Sequence, residues 1–445
     1  MPKRLARILI PLAIATSLQP AAAQNEGATT LPQWFARPAA TRGAPPVTDA
    51  PLSRAEAEAK LGEVFAALIA GSQQAGLDTL PPLLPNDLDK ALLPSELHIG
   101  DFTMPFVLLT KGEKPASGWP LYLCLHGGGG NGDAKGPHEW DVNSREWQAQ
   151  KTLWKRIYPA PGIYFIPRMA DDRKGRWYLD HNQIAFEELI TKCILFREVD
   201  PNRVYLMGIS EGGYGAIRFA GNRPDRFAAT GGMAAAEPLS TSPPENMRNV
   251  SMRIDIGEKD TMYDRVGLAR RMGERLAELK REDPSGFDFE VCVQAGRGHG
   301  VDYSLSPQWL STRVRNPHPD RVVWTVQKFD SRIALQNYWL ALDAAPATMP
   351  LYLSASISKN RLVVTAEQDG GEGKPRQAVR EGVVRIRLND QLADLDAPIT
   401  IVVNGAERTA VRVQRSLAVM ARTMAERSDP NYCFCAEIVI ELGAK

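Results

Sequence analysis

Between about residues 97 and 295, the sequence alternates short apolar runs with longer amphipathic segments. The runs FVLLT, LYLCLH, GIYFIPRM and RVYLMGI have the length and side chains typical of strands. Residues 181–196 and 264–282 space their apolar residues as helices do. Strands that alternate with helices predict a mostly parallel sheet with helices on both faces. The sequence therefore predicts an α/β fold for this region.

The segments on either side of this region differ in composition. Residues 24–52 are rich in Ala, Pro and Thr and predict a flexible lead-in. Ser53 and Glu56 then form a capping box that opens an amphipathic helix, which we assign as an N-terminal extension of a catalytic domain over residues 53–345.

Residues 346–445 are rich in strand-like runs and include one helical segment. Asn404-Gly405 lies between two apolar runs and predicts a hairpin, because a type I′ turn needs positive φ at both central residues. We expect a small β-rich α+β module here. Trp324 and Trp339 lie in two strands that join it to the catalytic domain, and we expect them to be structural.

The N-terminus has the organisation of a secretory signal peptide. Lys3, Arg4 and Arg7 precede a short apolar run over residues 8–18, and small residues follow up to Ala23. The run is too short to span a membrane. We expect cleavage near Ala23 and export to the periplasm or the medium; an uncleaved anchor is the alternative.

The composition excludes several other classes of protein. The 445 residues carry a formal net charge of +1, which gives no reason to expect nucleic acid or an anionic membrane as a partner, and no further membrane span is predicted. The five cysteines include no CxxC pair, and Cys124 and Cys292 lie within strand-like runs. We expect neither a metal site nor a cofactor, and the oligomeric state is open.

The segment GISEGGYGA, residues 208–216, follows a strand-like run and opens a helical segment. A tight strand-to-helix bend needs small residues two positions before and after its centre, as Gly208 and Gly212 are around Ser210. Such a bend exposes the serine hydroxyl at the carboxyl end of the sheet, near a helix N-terminus. The motif GxSxG alone is weak evidence for a nucleophile. Between a strand and a helix, however, it predicts a nucleophile rather than an inert turn.

A serine nucleophile needs a base, and on such a bend the acid and the histidine follow from later strands. Of the six histidines, only His299 and His318 come later. His299 lies in a glycine-rich loop after a strand, whereas His318 lies between two prolines and predicts a rigid surface turn. We therefore expect His299 to be the base. His181, which precedes a helix, could line the cleft, cap the helix or pack in the core.

The third member of the set must orient the imidazole and stabilise its cation. Asp260 lies in the loop just past the end of the strand RIDIG, where the geometry requires an acid. Asp255 lies inside the strand, and Asp264 precedes a helix whose dipole it suits. Asp260 is preferred over these two and over Glu258.

An acyl-transfer enzyme must also stabilise an oxyanion. The loop LHGGGGNGD, residues 125–133, has four consecutive glycines, so its backbone N–H groups can approach a substrate closely. Gly128 or Gly129 could donate one hydrogen bond, and the backbone N–H of Glu211 the other. The same glycines also match G-x-G-x-x-G, but no helix follows as a dinucleotide site requires.

The motifs LHGGGGNGD, GISEGGYGA, IGEKD and GRGHG, in this order, resemble those of the α/β-hydrolase superfamily. The closest resemblance is to secreted esterases related to dienelactone hydrolases, polyhydroxyalkanoate depolymerases, feruloyl esterases and predicted peptidases. It covers about residues 97–345 and implies a Ser210–Asp260–His299 triad. Glu211 departs from the pattern, because many relatives carry Met or Gln there, and its acidic side chain could alter substrate preference.

Together these features predict an exported serine hydrolase that cleaves small or polymeric carboxylic esters through an acyl-serine, without a cofactor. The alternatives are a serine peptidase of the same superfamily and an inactive hydrolase fold that binds a partner. Trp140, Trp177 and Tyr178 are candidates for lining the pocket or for packing in the core. The acyl and alcohol groups are not specified by the sequence.

Overall fold

The computed structural model describes residues 29–48 and 50–443, so the predicted signal peptide lies outside the described residues. The α-helices are α1 Leu31–Ala36, α2 Arg54–Gln74, α3 Leu88–Ala91, α4 Asp141–Arg156, α5 Asp180–Phe196, α6 Glu211–Asn222, α7 Arg265–Glu282, α8 Leu305–Ser311 and α9 Leu417–Arg427. Within the described ranges, no helix combines the length and apolar character needed to cross a membrane.

An eight-stranded sheet forms the centre of the alternating region. Its strands are β1 Ser95–Ile99, β2 Phe102–Lys111, β3 Trp119–Leu125, β4 Gly162–Pro167, β5 Val199–Ile209, β6 Ala229–Met233, β7 Ser251–Gly257 and β8 Phe289–Gln294. Their spatial order is β1-β2-β4-β3-β5-β6-β7-β8. Strand β2 is antiparallel to its neighbours, and all other pairs are parallel. This is the α/β-hydrolase fold, and the predicted fold class is confirmed.

Helices cover both faces of this sheet. Because side chains alternate along a strand, neighbouring residues of β3 enter different cores. Leu123 belongs to the core that includes residues of α5, α6 and α7, whereas Cys124 belongs to the core that includes Trp154 of α4 and Leu310 of α8. Burial on both faces explains why the strands are continuous apolar runs rather than alternating ones.

The C-terminal part forms two larger sheets and takes part in two small two-stranded ones. Its longer strands are β9 Arg321–Val326, β10 Leu340–Leu342, β11 Leu351–Ser358, β12 Arg361–Gln368, β13 Val383–Leu388, β14 Ile399–Val403, β15 Ala406–Val411 and β16 Ala436–Glu441. One sheet has the order β9-β11-β12-β14-β15, and the other contains β10, β13 and β16. The predicted hairpin is confirmed: Asn404 and Gly405 have φ of 48° and 82° between β14 and β15.

Three features differ from the expected division of the chain. The lead-in is not wholly flexible, because a capping box at Thr30 starts α1, and Trp34 and Phe35 are buried in the core of the C-terminal sheets. Helix α2 also buries Val64 and Leu68 in that core rather than in the sheet of the catalytic domain. Strands β9 and β10 pair within the C-terminal sheets, so these sheets begin well before residue 345.

Buried charges join the two parts of the molecule. The Arg315 guanidinium donates to the Asp429 carboxylate at 2.7 Å, and both side chains are almost fully buried. Arg427 of α9 donates to Asp225, which precedes β6, at 2.6 Å. The hydroxyl of Tyr432 donates to the backbone oxygen of Asp225 at 2.8 Å. Removing one partner of such a pair leaves a buried charge uncompensated.

We expect a chain that ends at residue 345 to be insoluble or to melt far below the full-length protein. The truncation removes β11, the partner of β9, and Asp429, the partner of Arg315. A melting curve and p-nitrophenyl acetate turnover for residues 24–345 test this. A well-folded and fully active truncated chain would overturn the structural role of the C-terminal part.

The substitution Asp429→Asn should lower the free energy of unfolding by about 3 kcal/mol, because Arg315 stays buried without its counter-charge. Urea denaturation followed by fluorescence measures the change. Glu407→Gln is the matched control, since Glu407 pairs with Arg361 on the surface and its loss should cost less than about 0.5 kcal/mol. Equal effects of the two substitutions would contradict the role of the buried pair.

Candidate active site

Ser210 lies at the bend between β5 and α6 with φ of 53° and ψ of −113°, a conformation that residues other than glycine rarely adopt. A Cβ at position 208 would lie 2.2 Å from the backbone of Gly212, and one at position 212 would lie 2.3 Å from the backbone oxygen of Leu125. Both glycines are therefore required for the close approach of strand and helix. The backbone N–H of Ser210 donates to Met233 at 2.8 Å and fixes the bend.

The structure brings the three predicted side chains of the triad together. Nε2 of His299 lies 3.0 Å from the Ser210 hydroxyl oxygen, and Nδ1 of His299 lies 2.7 Å from Asp260. A carboxylate can only accept, so Nδ1 carries the proton and Nε2 is free to accept from the serine hydroxyl. Asp260 is buried, whereas the His299 side chain is about half exposed. This arrangement can activate a serine with solvent nearby.

Arg265 is a member of this group that the sequence interpretation missed. Its Nη1 donates to the second oxygen of Asp260 at 2.9 Å, and its Nε donates to the Tyr214 hydroxyl at 2.6 Å. The carboxylate is therefore held from two sides, by the histidine and by the first residue of α7. No sequence pattern indicates this contact, because any of several arginines in α7 could have faced the loop.

The other acids considered have different partners. Asp255 is buried in β7 and accepts from Arg253 at 2.8 Å, whereas Asp264 pairs with Arg271 on the exposed surface of α7. Glu258 accepts from the backbone N–H of Gly296 at 2.8 Å and so ties the acid loop to the histidine loop. None of the three is within hydrogen-bond distance of His299.

His318 and His181, the other histidines considered for the site, have partners elsewhere. His318 does not lie in a free surface turn, because its ring contacts Gln391 at 2.6 Å and the backbone oxygen of Asn431 at 2.7 Å. Its turn is thus covered by the C-terminal part. His181 stacks on Phe102 at a centroid distance of 4.0 Å, which favours its packing role.

The glycine loop after β3 is held by Asn143 of α4, which sequence reasoning also missed. The Asn143 Oδ1 accepts from the N–H of Gly129 at 3.1 Å, and its Nδ2 donates to the Gly129 oxygen at 2.9 Å. The Gly129 N–H is therefore already engaged and does not fit the predicted oxyanion role. The N–H of Gly128 has no acceptor among the described residues, and Gly128 lines the cavity beside Ser210.

Further buried polar groups hold this loop and the residues around it in place. Nδ2 of Asn143 also donates to Asp172 at 2.6 Å, and Asp172 forms a two-point ion pair with Arg168. His126 accepts from the Met169 N–H through Nε2, so its Nδ1 carries the proton and donates to the Gly127 oxygen at 2.5 Å. Burial lowers the pKa of His126 to about 4, so it stays neutral and structural.

Glu211 follows the nucleophile, and its backbone N–H belongs to the first turn of α6, where N–H groups have no partner within the helix. Its side chain is 3% exposed and accepts from Nη1 of Arg176. The other carboxylate oxygen, Oε1, is buried without a hydrogen-bond partner among the described residues. Burial raises the pKa of Glu211 to about 7, although Arg176 opposes this shift.

A cavity of about 510 Å³ opens beside Ser210. Tyr178 lines it, whereas Trp177 is fully buried and its indole N–H donates to the backbone oxygen of His126 at 2.9 Å. Trp140 is not part of the lining; its backbone N–H donates to Asp172. Among residues 29–48 and 50–443, no group of three or more His, Cys, Asp or Glu side chains is arranged to hold a metal ion.

Part of this chain is similar to known proteins. No protein-family model matches the chain. A protein of Nocardia uniformis subsp. tsuyamanensis named "Putative esterase NocK" is 33% identical over 156 residues, which are 34% of this chain and 43% of that protein. The chain thus matches less than half of that relative's length.

The fold is similar to those of several solved structures. A thermostable esterase is 20% identical with a TM-score of 0.39, over 51% of this chain and 64% of its own. The enterobactin hydrolase IroE is 17% identical with a TM-score of 0.33, over 51% of this chain and 98% of its own. A feruloyl esterase module from Clostridium thermocellum is 14% identical with a TM-score of 0.33, over 46% of this chain and 81% of its own.

The raised pKa of Glu211 predicts a pH-dependent stability. Because the folded pKa lies above that of an exposed glutamate, the wild type should lose stability as pH rises from about 4.5 to 7. Glu211→Gln cannot titrate, so its free energy of unfolding relative to the wild type should rise by roughly 3 kcal/mol over this range. Chemical denaturation at pH 5, 6, 7 and 8 measures the difference.

The matched control is Glu58→Gln, because the Glu58 side chain is 65% exposed in a surface pair with Arg54. Its stability difference from the wild type should change little over the same range. A difference for Glu211→Gln that stays flat between pH 5 and pH 8 would contradict the burial argument.

Proposed function

We propose that this protein is a serine hydrolase that cleaves carboxylic esters through an acyl-Ser210 intermediate. The observation that supports this most directly is the chain of contacts from Ser210 through His299 to Asp260, set on a strained bend at the N-terminus of α6. Backbone strain of this kind is typical of functional sites. The esterases among the similar proteins are consistent with the same chemistry.

In the proposed mechanism His299 Nε2 takes the hydroxyl proton as Ser210 attacks the ester carbonyl carbon. Asp260 stabilises the imidazolium that forms. When the tetrahedral intermediate collapses, the bond to the alcohol oxygen breaks, and the imidazolium gives its proton to the departing alcohol. Water then attacks the acyl-enzyme with the same histidine as base, releasing the acid and restoring the serine.

The oxyanion of both intermediates would be stabilised by two backbone N–H groups. Glu211 supplies one, because its N–H lies directly after the nucleophile at the positive end of the α6 dipole. Gly128 is our candidate for the second, because the N–H of Gly129 is engaged by Asn143. Fixed donors of this kind typically contribute about 3–4 kcal/mol each to transition-state stabilisation.

We further propose that the enzyme acts after export, on the basis of the basic and apolar residues within positions 1–23. Mass spectrometry of the N-terminus of protein recovered from the periplasm or medium tests this. An intact Met1 on that protein, or protein confined to the cell interior, would contradict cleavage and export.

Ser210→Ala and His299→Ala should each lower kcat/KM for p-nitrophenyl esters by on the order of 10³-fold or more, and the double substitution should cost little more. Nucleophile and base act as one unit, so their effects do not add. His318→Ala serves as the control, since its ring packs against the C-terminal part. Loss of activity in His318→Ala with retention in His299→Ala would overturn the assignment.

The same variants should be assayed on aminoacyl p-nitroanilides, which separate esterase from peptidase activity. We expect turnover of esters to exceed that of the anilides, and both to vanish in Ser210→Ala. Wild type that turns over neither class would instead favour an inactive hydrolase fold.

A further inference from the structure

The cavity continues past Ser210 into a region that ester cleavage alone does not require. Two arginine–glutamate pairs line this region, Arg176–Glu211 and Arg218–Glu237. Glu211 and Arg218 are seven residues apart on α6, about two turns, so they lie on the same face of the helix. The helix that begins at the nucleophile therefore carries charged groups along the cavity wall.

Arg218 is held in one orientation by two contacts. Its Nε donates to Glu237 at 2.7 Å, and its guanidinium carbon lies 3.9 Å from the centre of the Tyr178 ring. Glu237 is buried, and its other oxygen accepts from the Thr241 hydroxyl at 2.8 Å. Both oxygens of Glu237 are thus engaged, and its role is to fix the arginine.

The outer nitrogens of these arginines remain available. Among the described residues, neither Nη group of Arg218 has a hydrogen-bond acceptor, and Arg176 uses only Nη1, toward Glu211. A guanidinium fixed by one edge presents its remaining N–H groups as a planar fork, which matches a carboxylate. The cavity wall therefore offers more free donors than acceptors.

The charges of this wall also favour an anion. Glu237 neutralises Arg218, but the second glutamate is only partly ionised near neutral pH, because burial raises the pKa of Glu211 to about 7. The charge on Arg176 is then incompletely balanced. Its side chain is about half exposed, so its free nitrogens are accessible to a ligand while Nη1 stays paired with Glu211.

The position of Arg218 sets the length of the ligand. It lies eight residues after Ser210, which places its Cα about 12 Å further along the axis of α6. Side chains on a helix lean toward its N-terminus, so the guanidinium extends back toward the nucleophile. A chain of several carbons between the ester carbonyl and a second charged group fits this separation.

We propose that the catalytic cavity takes half-esters of dicarboxylic acids, with the free carboxylate bound by the outer nitrogens of Arg218 and Arg176. This inference rests on the proposed ester hydrolysis at Ser210, which releases the dicarboxylate as product. Arg218 and Arg176 are the residues that determine specificity, and they take no part in bond cleavage.

Matched chromogenic esters test the preference. Wild-type kcat/KM should be at least about tenfold higher for mono-p-nitrophenyl adipate than for p-nitrophenyl hexanoate, which has the same acyl length without the charge. In Arg218→Gln the ratio of the two values should fall to within about threefold of unity. Arg361→Gln removes the same charge from an exposed site on β12 and should leave the ratio unchanged.

A binding measurement separates this inference from the proposed chemistry. Ser210→Ala should bind monomethyl adipate at least about tenfold more tightly than dimethyl adipate in isothermal titration calorimetry, and adding Arg218→Gln should abolish the difference. If Arg218→Gln does not fold, Arg176→Gln replaces it, since the Arg176 side chain is about half exposed.

The outcomes are distinct. Hydrolysis of the hexanoate ester without preference for the adipate half-ester, and equal binding of both methyl esters, would overturn the carboxylate site while ester hydrolysis stands. Selective binding of monomethyl adipate by Ser210→Ala, lost with Arg218→Gln, would support the site even if the wild type cleaved neither chromogenic ester. Tighter binding of the neutral diester would overturn it.

Discussion

The bend at Ser210 is the constraint on which the rest of the site depends. A strand can turn directly into a helix here only because Gly208 and Gly212 leave room for backbone to touch backbone. The bend requires a positive φ at Ser210, which is unfavourable in conformational free energy. Residues in such conformations persist only when their surroundings fix them. Those surroundings are the parallel neighbours β3 and β6, which hold the end of β5 from both sides.

Around this bend, hydrogen bonds from buried polar groups fix the loops, whereas side-chain packing does so elsewhere. A loop of consecutive glycines has no side chains with which to fix itself, so Asn143 and the Arg168–Asp172 pair hold it through hydrogen bonds. Arg265 does the same for Asp260. Groups that are fixed before substrate binds do not need to reorganise during the reaction, which is the usual origin of electrostatic stabilisation in enzymes.

Buried residues from two parts of the sequence join the C-terminal sheets to the rest of the molecule. Helices α1 and α2 contribute Trp34 and Val64 to their core, and Arg315 meets Asp429 in an almost fully buried pair. A segment that is far away in sequence thus completes the structure around helices α1 and α2. Such contacts make the module part of the fold rather than an appended unit.

The sequence by itself determined the α/β order and the bend, because strand and helix periodicities and the glycine spacing are local properties. It also identified Ser210, His299 and Asp260 as candidates, since each lies in the bend or loop that follows a strand, and the carboxyl ends of parallel strands meet at one edge. Only the tertiary structure decided that Gly129 is engaged by Asn143, that Arg265 holds Asp260 and that α1 belongs to the C-terminal core. These contacts join residues distant in sequence, and the direction of one side chain among many similar ones depends on packing that no local pattern encodes.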